Sequence, residues 1–300
     1  MRRFLAIFAA ALILCASAAN AAPAPVKILT IDPIMELIVQ FIGGPYVETA
    51  AGWSWDAKDR LRTSRAALMN GENAQRPLLA LCESQYTSFM TTTRRRSRKG
   101  LTDVEKNRPN LHCLYPDDAI KVSPQVFYGD PANLPYTAQK VMTVLSKLIP
   151  QRYPYFQRRL GEFDARLRTV LISGRRRLSG AEILYVGDSY QAFLQASGCV
   201  VTTPTASELS QLLYLARPAP QPSEDVPRSA IRAAANRKAD RLRQILHGRI
   251  LLIDYHADPR LHAGLRGASV VYISPPRGED LLFFIHSTIL LIGSHLDQLR

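Results

Sequence analysis

The sequence predicts an α/β protein of two lobes, each with a mostly parallel central sheet, joined by a long connecting helix. Two observations favour the lobes. Apolar runs of strand length alternate with helical patterns early in the chain, and the same alternation returns late in the chain. The third is a long middle segment with apolar residues at spacings of three and four. At 300 residues, 47% of them hydrophobic and 21% charged, the chain can build two cores of ordinary size.

The N-terminus has the pattern of a secretory signal peptide. Arg2 and Arg3 precede an uncharged apolar run over residues 4–19, and the small residues Ala19 and Ala21 flank Asn20 as a cleavage site. The run is shorter than the roughly 20 apolar residues that cross a bilayer. We therefore expect residues 1–21 to be removed and the mature chain to be periplasmic.

The first lobe is predicted over residues 22–133. It opens with a strand-like run at 26–30, followed by an apolar helix that ends at two glycines, Gly43 and Gly44. Another run of strand length covers 77–81, and weaker runs lie at 111–115 and 126–128. Strand, helix and strand in this order indicate an α/β unit.

The connecting helix is predicted over residues 134–172 and the second lobe over 173–300. We expect a kink or a restart near Pro150, because proline lacks a backbone donor and clashes with the preceding turn. Strand-like runs in the second lobe lie at 183–186, 199–202, 250–253 and 270–273. The apolar segment 281–296 is predicted to be a helix that docks against a sheet, since it is short for a membrane span.

Three cysteines follow the signal peptide: Cys82, Cys113 and Cys199. An exported protein meets an oxidising compartment, so one disulfide and one buried free thiol is the simplest arrangement. We prefer Cys82 and Cys113 as the bonded pair. The cysteines have no CxxC spacing, and we therefore expect no structural zinc cluster.

The sequence favours binding over catalysis. It contains no His-Glu-x-x-His, no Gly-x-Ser-x-Gly and no Gly-x-x-x-x-Gly-Lys-Ser/Thr motif, so we expect no enzyme. The formal charge of +13 indicates that partners attracted at long range are anionic. The basic run at 94–99 is either a solvated loop or a grip for phosphate or an acidic partner. Without stacking aromatics around that run, we expect no nucleic-acid partner.

Ligand-like side chains follow two strands of the second lobe. If the strand at 250–253 continues, period-two alternation places Asp254, His256 and Asp258 on one face as a half-site for a metal. The alternative is that Asp258 and Pro259 begin a turn or helix. Asp188 follows the strand at 183–186, where it either caps a helix or faces a cleft.

Four segments, taken in order, resemble a known family. Residues 26–44 (VKILTIDPIMELIVQFIGG) are similar to the opening strand and helix of the zinc- and manganese-binding solute-binding proteins of ABC importers. Residues 124–131 (PQVFYGDP) resemble the family's Pro-His-Val-Trp-Leu-Asp-Pro segment, and 185–193 (YVGDSYQAF) its Tyr-His-Asp-Ala-Phe segment. Residues 220–223 (PQPS) resemble its Glu-Pro-Ser turn. The resemblance covers nearly the whole mature chain.

The resemblance implies a ligand held between the lobes and delivered to a membrane permease. The family binds its ion with histidines from the first lobe, and with histidine or glutamate and a carboxylate from the second. Here Gln125 stands at the second ligand, Gly187 at the third and Ser274 near the fourth, and the loop at 51–56 has no histidine. An amide, a glycine and a serine lack the donors that zinc or manganese requires. The resemblance is thus to a divergent member with degenerate metal ligands.

Together these observations predict an exported, monomeric solute-binding protein that passes a small ligand to an ABC permease. A divalent ion, zinc or manganese, is one candidate for the transported ligand. The alternative is an exported scaffold of the same fold that has lost metal binding and engages an anionic partner through its basic surface. The residues expected to line the ligand site are Gln125, Asp188, Asp254, His256 and Ser274.

Overall fold

A computed structural model of the chain describes residues 24–64, 76–96, 110–217, 228–265, 267, 269–278 and 280–299. The expected signal peptide lies outside these residues. So do the turn at 220–223 and residues 97–99 of the basic run.

The first lobe is built on a parallel four-stranded sheet with the strand order β2-β1-β5-β6. A separate antiparallel hairpin, β3–β4, follows β2. The strands are β1 (Val26–Thr30), β2 (Val47–Ala51), β3 (Trp53–Trp55), β4 (Leu61–Thr63), β5 (Leu78–Ala80) and β6 (Leu111–Cys113). The helices are α1 (Pro33–Gly43), α2 (Glu83–Arg96), α3 (Pro124–Gly129) and α4 (Asn133–Leu148), with single 3₁₀ turns at Gly44–Tyr46 and Asp117–Ala119.

One long helix, α5 (Tyr153–Leu178), links the lobes. It packs against α1 and α4 on the side of the first lobe and against α10 (Leu281–Leu299) on the side of the second. The chain breaks before it, because Pro150 has no amide hydrogen to continue α4 and begins a 3₁₀ turn, Pro150–Arg152, instead.

The second lobe repeats the architecture with the parallel strand order β10-β9-β7-β8. Its strands are β7 (Glu182–Val186), β8 (Val200–Thr202), β9 (Ile250–Asp254) and β10 (Val270–Ile273). Its other helices are α6 (Gln191–Ala196), α7 (Ala206–Leu215), α8 (Arg228–Leu246) and α9 (Pro259–Gly264). Two α/β lobes with parallel sheets and a long connecting helix confirm the predicted fold class.

The apolar core runs from one lobe to the other. A single buried cluster contains side chains of β1 and α1, continues through α4 and α5, and reaches β7, β9 and α10. Because α5 contributes Phe156, Phe163 and Leu167 to this cluster, the helix is packed along its length against both lobes. Such packing resists bending, so the lobes are held at a nearly fixed angle.

Three local predictions were wrong. Residues 126–128 are not a strand, since Ser123 caps a helix there and Pro124 occupies its first turn. The strand before Asp254 stops at that residue, and Asp258 caps α9 by accepting from the amide of Arg260. The face expected to join Asp254, His256 and Asp258 therefore does not form. Cys82 and Cys113 are free thiols at the ends of neighbouring strands, as is Cys199, so the preferred disulfide is absent among the described cysteines.

Among the described residues, α10 alone is long and apolar enough to cross a bilayer by length and composition. In this fold it packs mainly against α5 and touches β10 at one end, so its chief neighbour is a helix and not the expected sheet. Its buried side chains follow helical spacing, with Leu282, Ile285, Ile289 and Ile292 facing inward.

Candidate functional site at the junction of the lobes

The carboxyl ends of the central strands meet where the two lobes touch. In α/β sheets this edge is the usual place for ligands. In the first lobe β1 leads to Asp32, and in the second β7 leads to Gly187 and β9 ends at Asp254. Burial and then the charge of Asp254 raise the pKa of the Tyr255 hydroxyl in the second lobe, and Asp32 of the first lobe is close enough to add to this shift.

The β3–β4 hairpin reaches from the first lobe onto the second. The Trp55 ring meets the ring of Tyr255 edge-on, with centroids 5.0 Å apart, and lies 6.2 Å from the ring of His256. Arg277 donates to the backbone oxygen of Asp56 at 2.6 Å and forms an ion pair with Asp59. We call these contacts, made by Trp55, Asp56 and Asp59 with Tyr255, His256 and Arg277, the latch.

Asp56 is engaged within the hairpin itself. Its carboxylate accepts from the amides of Lys58 and Arg60 and pairs with the guanidinium groups of Arg60 and Arg62. The amide of Arg60, together with these other partners, holds the pKa of Asp56 well below its usual range. The Asp56 carboxylate therefore stabilises the turn of the β3–β4 hairpin, and this hairpin places Trp55 against the second lobe.

Behind the latch the lobes touch through backbone. A Cβ atom at Gly129, the last residue of α3, would lie 1.4 Å from the carbonyl oxygen of Ser189. The space left between the lobes at this point is about 10 Å³ and is mostly apolar. It is lined by Ile34, Tyr128, Leu134, Tyr190, Phe193, Leu281 and Ile285, besides Gln125, Gly129 and Pro131.

Asp254 is fully buried and its oxygens are occupied. One accepts from the hydroxyl of Tyr185 at 2.7 Å and from the amide of Ser189 at 3.0 Å, and the other from the amide of His256 at 3.3 Å. Burial, followed by the charge of Asp254, raises the pKa of Tyr185, so this hydroxyl remains a donor. The carboxylate thus ties the turn after β7 to the end of β9.

Gly187 is the residue at the family's third ligand position, and it has no room for a side chain. Its φ of +146° is one that residues with a Cβ rarely adopt. A Cβ at this position would also lie 2.3 Å from the Cβ of Asp254. The buried Asp254 side chain therefore occupies the space that a metal-binding side chain at position 187 would need.

The structure does not gather the five expected ligand-site residues into one cluster. Asp188, His256 and Ser274 are exposed, and Asp254 is buried and hydrogen-bonded. Gln125 is half-buried and lines a pocket of the first lobe. Within the part of the chain that the structure describes, no group of three or more His, Cys, Asp or Glu residues is placed to hold a metal ion. A metal site built from these five residues stays a prediction.

Sequence reasoning missed Asp32, a buried carboxyl beside the junction. It is 1% exposed, and one oxygen caps α1 by accepting from the amide of Ile34 at 2.8 Å. Among the described residues its other oxygen has no partner, and the buried hydroxyl of Tyr128 nearby has none either. Burial raises the pKa of Asp32 to about 6, while amides at the helix start lower it. The sequence signal was Asp before Pro33, which indicates a cap but not its burial.

No protein-family model matches this chain, and no curated protein sequence matches it significantly. Solved structures do match over nearly the full length. The crystal structure of ZnuA has 13% identity and a TM-score of 0.55, covering 90% of this chain and 98% of that one. The solute-binding protein FpvC from Pseudomonas aeruginosa in complex with Mn²⁺ has 12% identity and a TM-score of 0.52, covering 91% and 99%.

A third structure is the Mn-bound periplasmic metal-binding protein from Candidatus Liberibacter asiaticus. It has 14% identity and a TM-score of 0.53, and the match covers 92% of this chain and 100% of that one. Identities this low establish the fold and leave the ligand open. The chain has the two-lobe fold of the periplasmic metal-binding proteins.

Proposed function

We propose that the chain is the exported, periplasmic solute-binding component of an ABC importer, and that it binds rather than catalyses. Its parts are the signal peptide at 1–21, a first lobe at 22–133, a connecting helical segment at 134–172 that is interrupted at Pro150, and a second lobe at 173–300. It acts as a monomer, takes up a small solute and delivers it to a membrane permease. It does not act on nucleic acid.

The latch is the observation that carries this proposal. It joins the lobes through one partly exposed ion pair, one hydrogen bond from Arg277 to the backbone oxygen of Asp56, and ring edges, and an exposed ion pair contributes only about 0.2–1 kcal/mol. Contacts of this kind open and close without unfolding either lobe, while α5 limits the amplitude of the motion. A clamp that opens slightly at one edge suits capture and release of a solute.

The metal ligands of the fold are degenerate in this chain. Asp254 already accepts three hydrogen bonds, and the backbone at Gly187 excludes a ligand there. Calorimetric titration of the mature chain, purified without chelators, with zinc and with manganese tests this part. We expect neither ion to bind saturably, with a dissociation constant of micromolar or lower, in a way that His256→Ala abolishes. If zinc or manganese binds and His256→Ala abolishes that binding, the result would instead support metal transport through the residues at the junction.

The import function is tested separately, in cells that export the chain. A photo-crosslinking residue placed at exposed Asp188 or Ser274, beside the junction, should capture the transmembrane subunit of an ABC permease. The same probe at exposed Arg243, on the far end of α8, is the control and should capture it much less. Equal crosslinking from all three positions, or none to a permease, contradicts the proposal.

A second candidate function is the scaffold that engages an anionic surface. Phe283 of α10, an exposed apolar residue, lines one surface groove with exposed Arg166 of α5, and the exposed Leu290 and Leu291 follow on α10. Apolar side chains next to cations suit the surface of an anionic membrane. Flotation with anionic and with neutral vesicles separates the two functions. Salt-sensitive binding to anionic vesicles only, reduced by Phe283→Ser with Leu291→Ser, would favour the scaffold.

A further inference from the structure

We propose that the first lobe binds a neutral, hydroxyl-rich small molecule, of the size of a mono- or disaccharide, in a pocket of its own. The pocket lies between the β3–β4 hairpin, α2 and the segment before α3. Its volume is about 420 Å³, which falls in the ~300–1,000 Å³ range of small-molecule sites. We call it the first-lobe pocket. It is lined by Trp53, Leu61, Thr63, Cys82, Ser84, Gln85, Ser88, Thr92, Ile120, Val122, Pro124 and Gln125.

The chemistry of the lining selects against charge. Half of the described lining residues carry a hydroxyl or amide side chain, and none carries a formal charge at neutral pH. A charged ligand would lose hydration here without gaining an ion pair, which is costly. Hydroxyls and amides instead exchange hydrogen bonds with groups that both donate and accept. The occupant is therefore neutral and polar.

Gln85 supplies a donor that the protein leaves unpaired. The side chain is 5% exposed, and its Oε1 accepts from the amide of Leu81 at 2.7 Å. Because an amide hydrogen needs an oxygen acceptor, this bond fixes which way the side-chain amide is turned. Its Nε2 therefore lies on the other side, closed to water and without a partner among the described residues, so a ligand meets it only when the side chain shifts. A buried donor of this kind costs free energy until an acceptor reaches it.

Thr63, on the opposite wall, repeats the pattern. Its buried hydroxyl oxygen also has no hydrogen-bond partner in the part of the chain that the structure describes. Ser88 and Thr92 stand one helical turn apart on α2 and face the same space, with the Thr92 hydroxyl donating to the backbone oxygen of Ser88 at 2.9 Å. Polar side chains thus stand on two sides of one cavity, two of them with buried unpaired atoms just behind its wall, and they favour a ligand with several hydroxyl groups around its rim.

The rest of the wall is apolar and contains one aromatic ring. Trp53 is held edge-on by the buried ring of Phe89, with centroids 5.6 Å apart, and Leu61, Ile120 and Val122 complete this side. A pyranose ring has a face of C–H groups and a rim of hydroxyls, so it can cover an indole and bond to amides at once. A purely apolar ligand would leave the polar side chains of the wall unpaired, and an anion would find no cation among the described lining residues.

An adjoining open groove extends the site. Its volume is about 690 Å³, and it shares Ser84, Ser88 and Thr92 with the first-lobe pocket. It adds the carboxylates of Glu83 and Asp117, which accept from hydroxyls and repel anions. A second sugar unit can therefore extend from the pocket along α2.

This site does not depend on the proposed import function. Of the family's ligand positions it uses only Gln125, and the first lobe alone provides it. Binding is measured on the purified chain, whereas import is measured by crosslinking in cells. Failure of one is thus distinguishable from failure of the other.

The test is fluorescence and calorimetric titration of the mature chain with a fixed panel. The panel is glucose, galactose, mannose, maltose, trehalose and myo-inositol at millimolar concentration, with zinc and glutamate as charged comparisons. Fluorescence is read in a Trp55→Phe background, so that Trp53, one of only two tryptophans, is the reporter. We expect at least one neutral member to bind saturably and change the Trp53 emission, and neither charged compound to do so.

Gln85→Glu is the decisive variant. It keeps an oxygen for the amide of Leu81 but replaces the unpaired donor by an acceptor, so affinity should fall roughly tenfold or more. Ser88→Ala should weaken binding less, and Ser210→Ala, an exposed helical hydroxyl on the second lobe, should leave it unchanged. The proposal is overturned if no neutral member binds, or if binding is the same in Gln85→Glu and the parent.

Discussion

Gly129 of the first lobe lies so close to the carbonyl oxygen of Ser189 in the second that no side chain fits between them. The two residues belong to segments 60 positions apart in the chain, and their contact is made by backbone alone. The spacing of the lobes at the junction is therefore set by the absence of a Cβ at one position.

Replacing Gly129 by alanine should separate the lobes at this point. A Cβ would sit 1.4 Å from the oxygen of Ser189, and neither partner is a side chain that can turn away. We expect a loss of about 1–3 kcal/mol in the free energy of unfolding, as for other overpacked sites. Urea unfolding measures this loss, and increased exposure of Tyr190 to iodination should accompany it.

Gly161→Ala is the matched control, since Gly161 lies on the exposed side of α5 with nothing within 4 Å of its Cβ position. Alanine there should stabilise the helix by about 0.5–1 kcal/mol. Equal effects of the two substitutions would mean that the lobes do not touch at Gly129.

Gly187→His should fail to restore the family's third metal ligand. The histidine would need a left-handed backbone and would collide with the Cβ of Asp254. We expect destabilisation of more than about 2 kcal/mol and no gain in zinc affinity. Gly267→His has a similar φ of +156° but open space around it, so it shows the cost of the backbone alone. Zinc binding by a stable Gly187→His variant would contradict this account.

Asp254→Ala should destabilise the fold far more than His256→Ala. The first change leaves the buried hydroxyl of Tyr185 and the amide of Ser189 without an acceptor, at a cost of about 3 kcal/mol. The second removes an exposed ring from the latch and should cost under about 1 kcal/mol. Thermal unfolding of both variants decides the matter, and similar melting temperatures would mean that Asp254 is not structural.

Arg277→Ala should release the β3–β4 hairpin with little change in stability. The ion pair with Asp59 is partly exposed, so its loss costs under about 1 kcal/mol. Trp55 should nevertheless become more accessible to acrylamide quenching, read in a Trp53→Phe background. Arg260→Ala removes a comparable ion pair, to Asp258, inside the second lobe and should leave the quenching unchanged. Quenching unaltered in both variants would mean that Arg277 does not hold the latch.

The lobes and their sheets could be predicted because the signal is local. Runs such as 250–253 are continuous stretches of β-branched and aliphatic residues, and β9 is buried over its whole length. The end of β9 was harder, since alternation in Asp254-Tyr255-His256 favours a longer strand. The strand nevertheless ends at Asp254, and Asp258 caps α9 instead of continuing the alternation.

The junction could be predicted only in part. Its place at the carboxyl ends of the strands follows from the fold class, but its packing depends on contacts between distant residues. Nothing near Trp55 in the sequence indicates that its ring meets Tyr255, and nothing near Gln85 indicates an unpaired amide. The structural roles of the glycines were the hardest to predict from the sequence, because the contact of Gly129 with Ser189 forms only when both lobes are assembled.

Asp32 should make stability depend on pH in the acidic range. Its pKa is about 6 in the folded chain against 3.8 for an unperturbed aspartate, so the folded state holds this proton more tightly than the unfolded state. The contribution is fully present below pH 4 and is lost as the pH rises through 6. Two pKa units correspond to about 3 kcal/mol. The groups that face the carboxyl are the hydroxyls of Tyr128 and Tyr255, whose pKa values are raised, so neither ionises in this range.

Asp32→Asn isolates this effect, because asparagine keeps an oxygen for the amide of Ile34 and carries no charge. The free energy of unfolding of the variant minus that of the parent should rise by about 3 kcal/mol between pH 4 and pH 7. Asp258→Asn is the comparison with the opposite sign in a lower window. Arg260 lowers the pKa of Asp258 from 3.8 to about 2, so the stabilisation by that carboxylate is lost only as the pH falls from about 4 through 2, and its difference should be flat between pH 4 and 7. Urea unfolding at a series of pH values gives both differences. A difference for Asp32→Asn that is flat between pH 4 and 7 would show that this carboxyl is already charged at the junction.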